Sequence, residues 1–253
     1  MQAKVNVKQM RSKTFLESES FKKLRTNIQF SGKNIKAIAF TSTYPGEGKS
    51  EVAYRTAYSI AEMGKKTLFV DSDFRNSTFF GRIVENSTSE FKGLVHYLVG
   101  ECSADEVIVG TQNPNFDFVP IGAFPPNPSE LLAHETFKEF VEEVKNKYDY
   151  IIIDTAPAGY VVDGVLASAV ADGVVMLVAS GEVSAKAAKE TVRELTSAGC
   201  KMLGYVLNKC SKKSTNSYGR SYSHYGYGYG YSRGFSEEVK EPKGLKKLFV
   251  KKK

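Results

Sequence analysis

Short apolar runs alternate with helix-period stretches along most of the chain. Ile35–Phe40 (IKAIAF), Thr67–Val70 (TLFV), Phe116–Ile121 (FDFVPI), Tyr150–Asp154 (YIIID), Gly173–Ser180 (GVVMLVAS) and Lys201–Asn208 (KMLGYVLN) read as strands. Between them, Glu17–Phe30 puts Phe21, Leu24 and Ile28 on one helical face. Lys49–Met63 reads as a helix ended by Gly64, Ser129–Lys147 as a helix with Ser129 at its N-cap, and Ser184–Ala198 as another. Phe74–Gly110 is less regular. Strands that are apolar throughout, separated by helices, predict an α/β fold: a mostly parallel central sheet flanked by helices in three layers.

Past Lys209 the composition changes to Ser, Lys, Gly and Tyr, which sets expected boundaries: an N-terminal segment 1–16, a domain 17–209 and a tail 210–253. Of fourteen tyrosines in 253 residues, six lie in SYGRSYSHYGYGYGYSRG: Tyr218, Tyr222, Tyr225, Tyr227, Tyr229 and Tyr231. Interleaved with glycine, they cannot build a core. The net charge of +7 is uneven: from Lys201 onward thirteen Lys or Arg face three Glu, and the preceding residues are mildly acidic. The last segment, GLKKLFVKKK, mixes Leu245, Leu248 and Phe249 with lysines, which suits an anionic surface, an acidic partner or a merely solubilising basic end. Cys102, Cys200 and Cys210 form no metal or redox spacing, as expected of a reducing compartment. No apolar stretch reads as a signal peptide or approaches the ~20 residues of a membrane span, so the expectation is a cytoplasmic protein.

Chemistry concentrates at three strand ends. TSTYPGEGKS (Thr41–Ser50), between a strand and a helix, carries the phosphate-loop pattern, with Thr43 where the first glycine belongs. Backbone N–H groups of Gly46, Glu47, Gly48, Lys49, Ser50 and Glu51 and the helix N-terminus would hold phosphate oxygens. Lys49 would reach the β/γ-phosphates and Ser50 would ligate Mg2+. In LFVDSDFR, Asp71 and Asp73 face one way off a strand end. Paired carboxylates beside a triphosphate repel it unless a cation joins them. YIIIDTAPA ends a third strand in Asp154, the Walker B arrangement for Mg2+.

Together, PGEGKS, VDSDFR, IIIDTAP, the proline-rich GAFPPNPSELL and the closing tyrosine cluster resemble the bacterial tyrosine kinases of capsule and exopolysaccharide systems, within the deviant-Walker P-loop ATPases. The resemblance implies an ATP- and Mg2+-dependent protein-tyrosine autokinase that modifies its own tail in trans and regulates polysaccharide synthesis and export. It implies Mg2+ at Ser50, Asp73 and Asp154, catalysis by Lys49 with Asp71 or Asp73, and Asp71 as the candidate proton acceptor; spacing alone does not separate the two aspartates. Arg75 would touch phosphate or brace Asp73, or form a surface ion pair. Asn208 matches a position that binds adenine in related ATPases. Glu19, Lys22 and Arg25 match a helix motif that packs subunits into a ring, with Lys22 where the family has Arg. A membrane-bound modulator of the polysaccharide co-polymerase type, recruitment to the inner membrane face and a cognate tyrosine phosphatase are implied likewise. The alternative is a positioning or partition ATPase of the same architecture, although such proteins carry an extra lysine early in the loop, where this chain has Ser42 and Thr43. Nucleic-acid binding is disfavoured: only Arg220 and Arg233 stand among the tail tyrosines.

Overall fold

The structure, a computed structural model, describes residues 4–10, 14–77, 79–85 and 91–210. The N-terminal part comprises β1 (Lys4–Val7), α1 (Phe15–Phe30), β2 (Ala37–Ser42), α2 (Lys49–Ala61) and β3 (Thr67–Asp71). The irregular stretch resolves into short pieces: α3 (Phe79–Ile83), β4 (Val84–Glu85), α4 (Leu94–Leu98), α5 (Ala104–Val107) and β5 (Val109–Thr111). Then come β6 (Phe116–Val119), α6 (Pro128–Ala133), α7 (Glu135–Lys145), β7 (Tyr150–Asp154) and α8 (Val162–Ala169). The described part closes with β8 (Gly173–Ala179), α9 (Ala185–Ser197) and β9 (Met202–Asn208).

The strands form one sheet in the order β4-β1-β5-β6-β3-β7-β2-β8-β9. From β6 to β9 every neighbouring pair is parallel. β5 runs antiparallel to β6, and β4 antiparallel to β1. The strand period sorts the core: in β7, Ile152 joins Phe40, Phe69 and Phe118 on the face covered by α1 and α2. Ile151 and Ile153 point the other way, onto Phe137, Phe140 and Val144 of α7. Tyr54 anchors the first face, packed edge-on to Phe69, Phe79 and Phe116 with ring centroids 5.3–5.7 Å apart.

The expected mostly parallel α/β fold is found, with three local differences. Lys4–Val7, assigned no element from sequence, is a strand beside β5. Its four residues alternate exposed and buried, too short a run to stand out. The expected helix Ser129–Lys147 is two helices, because His134 is extended (ψ 145°). The break lets α6 bury Pro128 and Leu132 against α8, while α7 buries Phe137, Phe140, Val141 and Val144 at helical spacing. Ser129 is not the N-cap: Asn127 is, with Pro128 at the first helical position. The tail tyrosines and the lysine-rich end lie outside the described residues. No helix among the described residues is long and apolar enough to cross a membrane.

Candidate active site

Parallel strands bring all three motifs to one sheet edge. β2 lies between β7 and β8, and β7 between β2 and β3, with Asp71 and Asp154 in register at the carboxyl ends. The phosphate loop leaves β2 and enters α2, whose N-cap Gly48 offers no side-chain cap, so the first-turn N–H groups are left for an anion. Gly48 sits at φ +89°, a conformation that favours glycine, and a Cβ there would displace the Asn208 side-chain nitrogen, 2.4 Å away. A cavity of about 400 Å³ opens over the loop, lined among others by Tyr44, Lys49, Ser50, Asp73, Arg75 and Tyr160.

The loop is braced from below. Glu47, expected among the nucleotide-binding residues, turns its carboxylate away from the cavity: it is buried and accepts from the backbone N–H of Tyr44 (2.7 Å) and of Ala179 at the end of β8 (2.7 Å). Asn208, at the end of β9, donates its side-chain N–H to the Glu47 carbonyl (2.8 Å), so this residue is tied to the loop. Thr41 of β2 accepts from Ala158 N–H and donates to Ala156 O, both at 3.0 Å, stitching the DTAPA loop to the strand that feeds the phosphate loop. Glu51 is exposed and faces Arg55 across one helical turn (3.4 Å).

Lys49 is the hub. Its buried ammonium pairs with Asp154 Oδ1 at 2.6 Å, lies 3.9 Å from Asp73 Oδ2 and donates to Ser50 Oγ at 3.3 Å. Asp71 is wholly buried beneath them. One of its oxygens accepts from Asp73 N–H (3.2 Å), and the other accepts a short bond from Ser77 Oγ–H. Asp73 therefore lines the cavity, while Asp71 reaches it through neighbours. Burial, and then the Asp154 charge, push the Asp71 carboxyl up to about 7, against the pull of Ser77, Lys49 and the Asp73 N–H. Burial also raises Asp154, opposed by Lys49. Three carboxylates against one ammonium leave an excess of negative charge, as a site built to receive a cation would. Among the described residues no group of three His, Cys, Asp or Glu is arranged to hold a metal alone.

The raised Asp71 predicts a stability effect. Between about 4 and 7 the folded chain keeps a proton that the unfolded chain gives up, so stability falls as pH rises through that window. Asp71→Asn, which mimics the protonated acid, is expected to raise the metal-free melting temperature at pH 8 and to raise it by a clearly smaller amount at pH 5. Thermal melts at both pH values decide it; a larger gain at pH 5 contradicts the assignment.

Arg75 neither contacts Asp73 nor stands as a loose surface pair. Its guanidinium forks onto the wholly buried Asp163 of α8, through Nε at 2.6 Å and Nη2 at 3.2 Å. Nη2 also donates to Ser129 Oγ (3.2 Å), which in turn donates to Asp163 Oδ1 at 2.5 Å. The acidic motif, the proline-rich segment and α8 thus meet at one carboxylate. Asp163 carries no motif in the sequence and was missed. Glu19 and Lys22 pair at 2.7 Å on the exposed face of α1, whereas Arg25 turns inward, to the Ser59 carbonyl (3.1 Å) and hydroxyl (3.0 Å) on α2.

A family model described as an AAA domain matches residues 35–199. Tyrosine-protein kinase CpsD of Streptococcus agalactiae is 41% identical over 208 residues, covering 82% of this chain and 89% of that protein. The chain belongs to the bacterial tyrosine kinase family. The kinase domain of the Escherichia coli tyrosine kinase ETK shares its structure, with a TM-score of 0.71, 27% identity, and coverage of 90% of this kinase and 94% of that chain. The septum site-determining protein MinD from Pyrococcus horikoshii is more distant, at a TM-score of 0.58, 24% identity and coverage of 70% and 72%, which shows the shared fold alone. The phosphate loop of this tyrosine kinase departs from the extra-lysine pattern: Thr43 is buried, and its hydroxyl meets no partner among the described residues. The kinase is a nucleotide-using P-loop enzyme by family and by loop.

Proposed function

We propose that the chain is an ATP-dependent autokinase that phosphorylates Tyr218, Tyr222, Tyr225, Tyr227, Tyr229 and Tyr231 on a second copy of itself, in the control of capsule or exopolysaccharide synthesis. The observation that carries this reading is the buried Lys49, set between Asp154 and Asp73 under a phosphate loop, on a chain that also holds a tyrosine cluster. Backbone N–H groups from Gly46 to Glu51 bind the phosphates, and Lys49 turns from Asp154 to the β/γ-phosphates. Ser50, Asp73 and Asp154 would hold Mg2+, which when bound would supply charge neutralisation for the transferring group. A phenol of pKa ~10 is a poor nucleophile at neutral pH. Asp71, oriented by the Asp73 N–H and Ser77, takes its proton as transfer proceeds. Asn208, tied to the loop through the Glu47 carbonyl, contacts the adenine in this reading.

Glu19, Lys22 and Arg25 are the ring-forming positions, with Arg25 trading its bond to Ser59 for a neighbouring subunit. A membrane-bound modulator of the co-polymerase type recruits the kinase to the inner face of the membrane, and a tyrosine phosphatase reverses the modification. Each phosphate adds about −1.5 to −2 charge, so about four to six would cancel the basic tail, where eleven Lys or Arg face three Glu from Cys210 onward, and favour release of subunits. The test is phosphosite mapping after incubation with ATP, Mg2+ and the cytoplasmic segment of the modulator. Phosphate on the six tyrosines is expected. ATP hydrolysis without any phosphotyrosine would instead support a positioning ATPase.

A further inference from the structure

Three cationic side chains line the nucleotide cavity: Lys49, Arg75 and Arg82. Two are engaged, Lys49 by Asp154 and Arg75 by Asp163. Arg82, in α3, is exposed and pairs with no carboxylate among the described residues. It is nevertheless held. Its guanidinium carbon lies 5.3 Å from the centroid of the Phe79 ring, within cation–π range. Phe79 is buried, with its ring centroid 5.3 Å from that of Tyr54 and 6.1 Å from that of Phe69. The charge therefore rests on a ring that the core fixes. The backbone is pinned as well. Lys8 donates through its N–H to the Ile83 carbonyl (2.7 Å) and through Nζ to the Arg82 carbonyl (3.1 Å), and Val7 of β1 pairs with Val84. β1, the strand that the sequence did not announce, thus anchors the end of α3 from which Arg82 reaches the cavity.

Topology sets which part of a nucleotide meets this cation. β2, which feeds the phosphate loop, has β8 and β9 on one side and β7 and β3 on the other. Asn208 ends β9, Asp154 ends β7, and α3 follows β3. A nucleotide laid across the loop with its base at Asn208 points its terminal phosphate toward β7, β3 and α3. We propose that Arg82 is a further catalytic residue: its guanidinium donates to the γ-phosphate of ATP and takes up the charge that spreads over that group's oxygens during transfer. The inference rests on the proposed autokinase reading, with adenine at Asn208. In the step itself the bond from the γ-phosphorus to the β,γ-bridging oxygen breaks, and its electron pair stays on ADP. The bond to the phenol oxygen forms, and the phenol proton goes to Asp71. Arg82 gives hydrogen bonds and exchanges no atom. A guanidinium suits the role because it stays charged at any working pH and presents its donors in a planar fork.

The test compares two nucleotides on the full chain, by calorimetry with Mg2+ present: ADP, and adenylyl imidodiphosphate, whose terminal phosphate is not transferred. Arg82→Met keeps the length of the side chain and an apolar contact for Phe79 while removing the charge; Arg82→Gln removes the charge and keeps a polar end. Both are expected to weaken the triphosphate analogue about tenfold or more, the worth of a charge-assisted hydrogen bond, and to leave ADP affinity unchanged. Both should also lower kcat for phosphorylation of the peptide SYGRSYSHYGYGYGYSRG by about 10²-fold or more, with the peptide KM unchanged. Arg82→Lys should recover part of each loss. Equal weakening of ADP and the analogue would mean a general charge effect on the cavity and would overturn the assignment. Unchanged analogue affinity and kcat in both variants would overturn it too. If wild type binds both nucleotides but never phosphorylates tyrosine, the autokinase reading falls, and the affinity ratio still decides whether Arg82 holds the terminal phosphate. If wild type binds neither, both readings fall.

Discussion

Lys49→Met is expected to reduce tail phosphorylation by roughly 10²–10³-fold or more, the scale of losing a preorganised charge at a transferring group. The ammonium is buried within 2.6 Å of Asp154, and no other Lys or Arg pairs with that carboxylate among the described residues. The substitution therefore has a second effect. It strands Asp154, and breaking a buried pair from one side costs about 3–5 kcal/mol. Protonation relieves a stranded carboxylate, so the melting deficit should be largest at pH 8 and shrink toward pH 5. Phosphotyrosine blots at a temperature where the variant is folded separate the two effects. Undiminished phosphorylation by folded Lys49→Met would remove Lys49 from the chemistry.

Arg75→Ala is expected to be strongly destabilising for a change at a half-exposed side chain. Asp163 is wholly buried, and among the described residues its cation is Arg75. Leaving it with Ser129 alone should cost about 3–5 kcal/mol, or roughly 6–20 °C in a domain of this size. Arg75→Lys should recover only part of the loss, because a single ammonium cannot reproduce the fork onto both carboxylate oxygens. The double variant Arg75→Ala with Asp163→Asn should be more stable than Arg75→Ala alone, since the stranded charge is gone. A melting temperature for Arg75→Ala within about 2 °C of wild type would show that the triad carries little energy.

What could be read in the sequence divides along a physical line. Strand and helix periods are local, so IIID, TLFV and GVVMLVA declared a parallel sheet, and the phosphate loop declared itself between β2 and α2. The site residues with motifs, Lys49, Ser50, Asp73 and Asp154, do converge at one sheet edge. What stayed hidden depends on distant contacts. Arg75 and Asp163 are 88 positions apart, and no residue near Asp163 hints at a partner. Glu47 sits inside the loop motif, yet its carboxylate serves Ala179, 132 positions away, a bracing role that the loop pattern does not foretell. The order of Asp71 and Asp73 was open because alternation fixes direction and not depth; burial separates them. The break at His134 turns on one residue choosing an extended ψ, which helix propensity does not foresee.

Under the proposed roles, the Lys49–Asp154 pair would also make nucleotide and cation answer to each other. An ammonium at 2.6 Å from Oδ1 occupies the oxygen that a divalent ion would take, and Asp154 in turn holds the group that a triphosphate would take. Each ligand alone must break the pair unaided; whichever arrives first frees half of the other's site. Thermodynamic linkage then requires that Mg2+ tighten ATP binding by the same factor by which ATP tightens Mg2+ binding. Under the proposed roles the protein would respond to the product of two concentrations, with one ion pair as the gate between them.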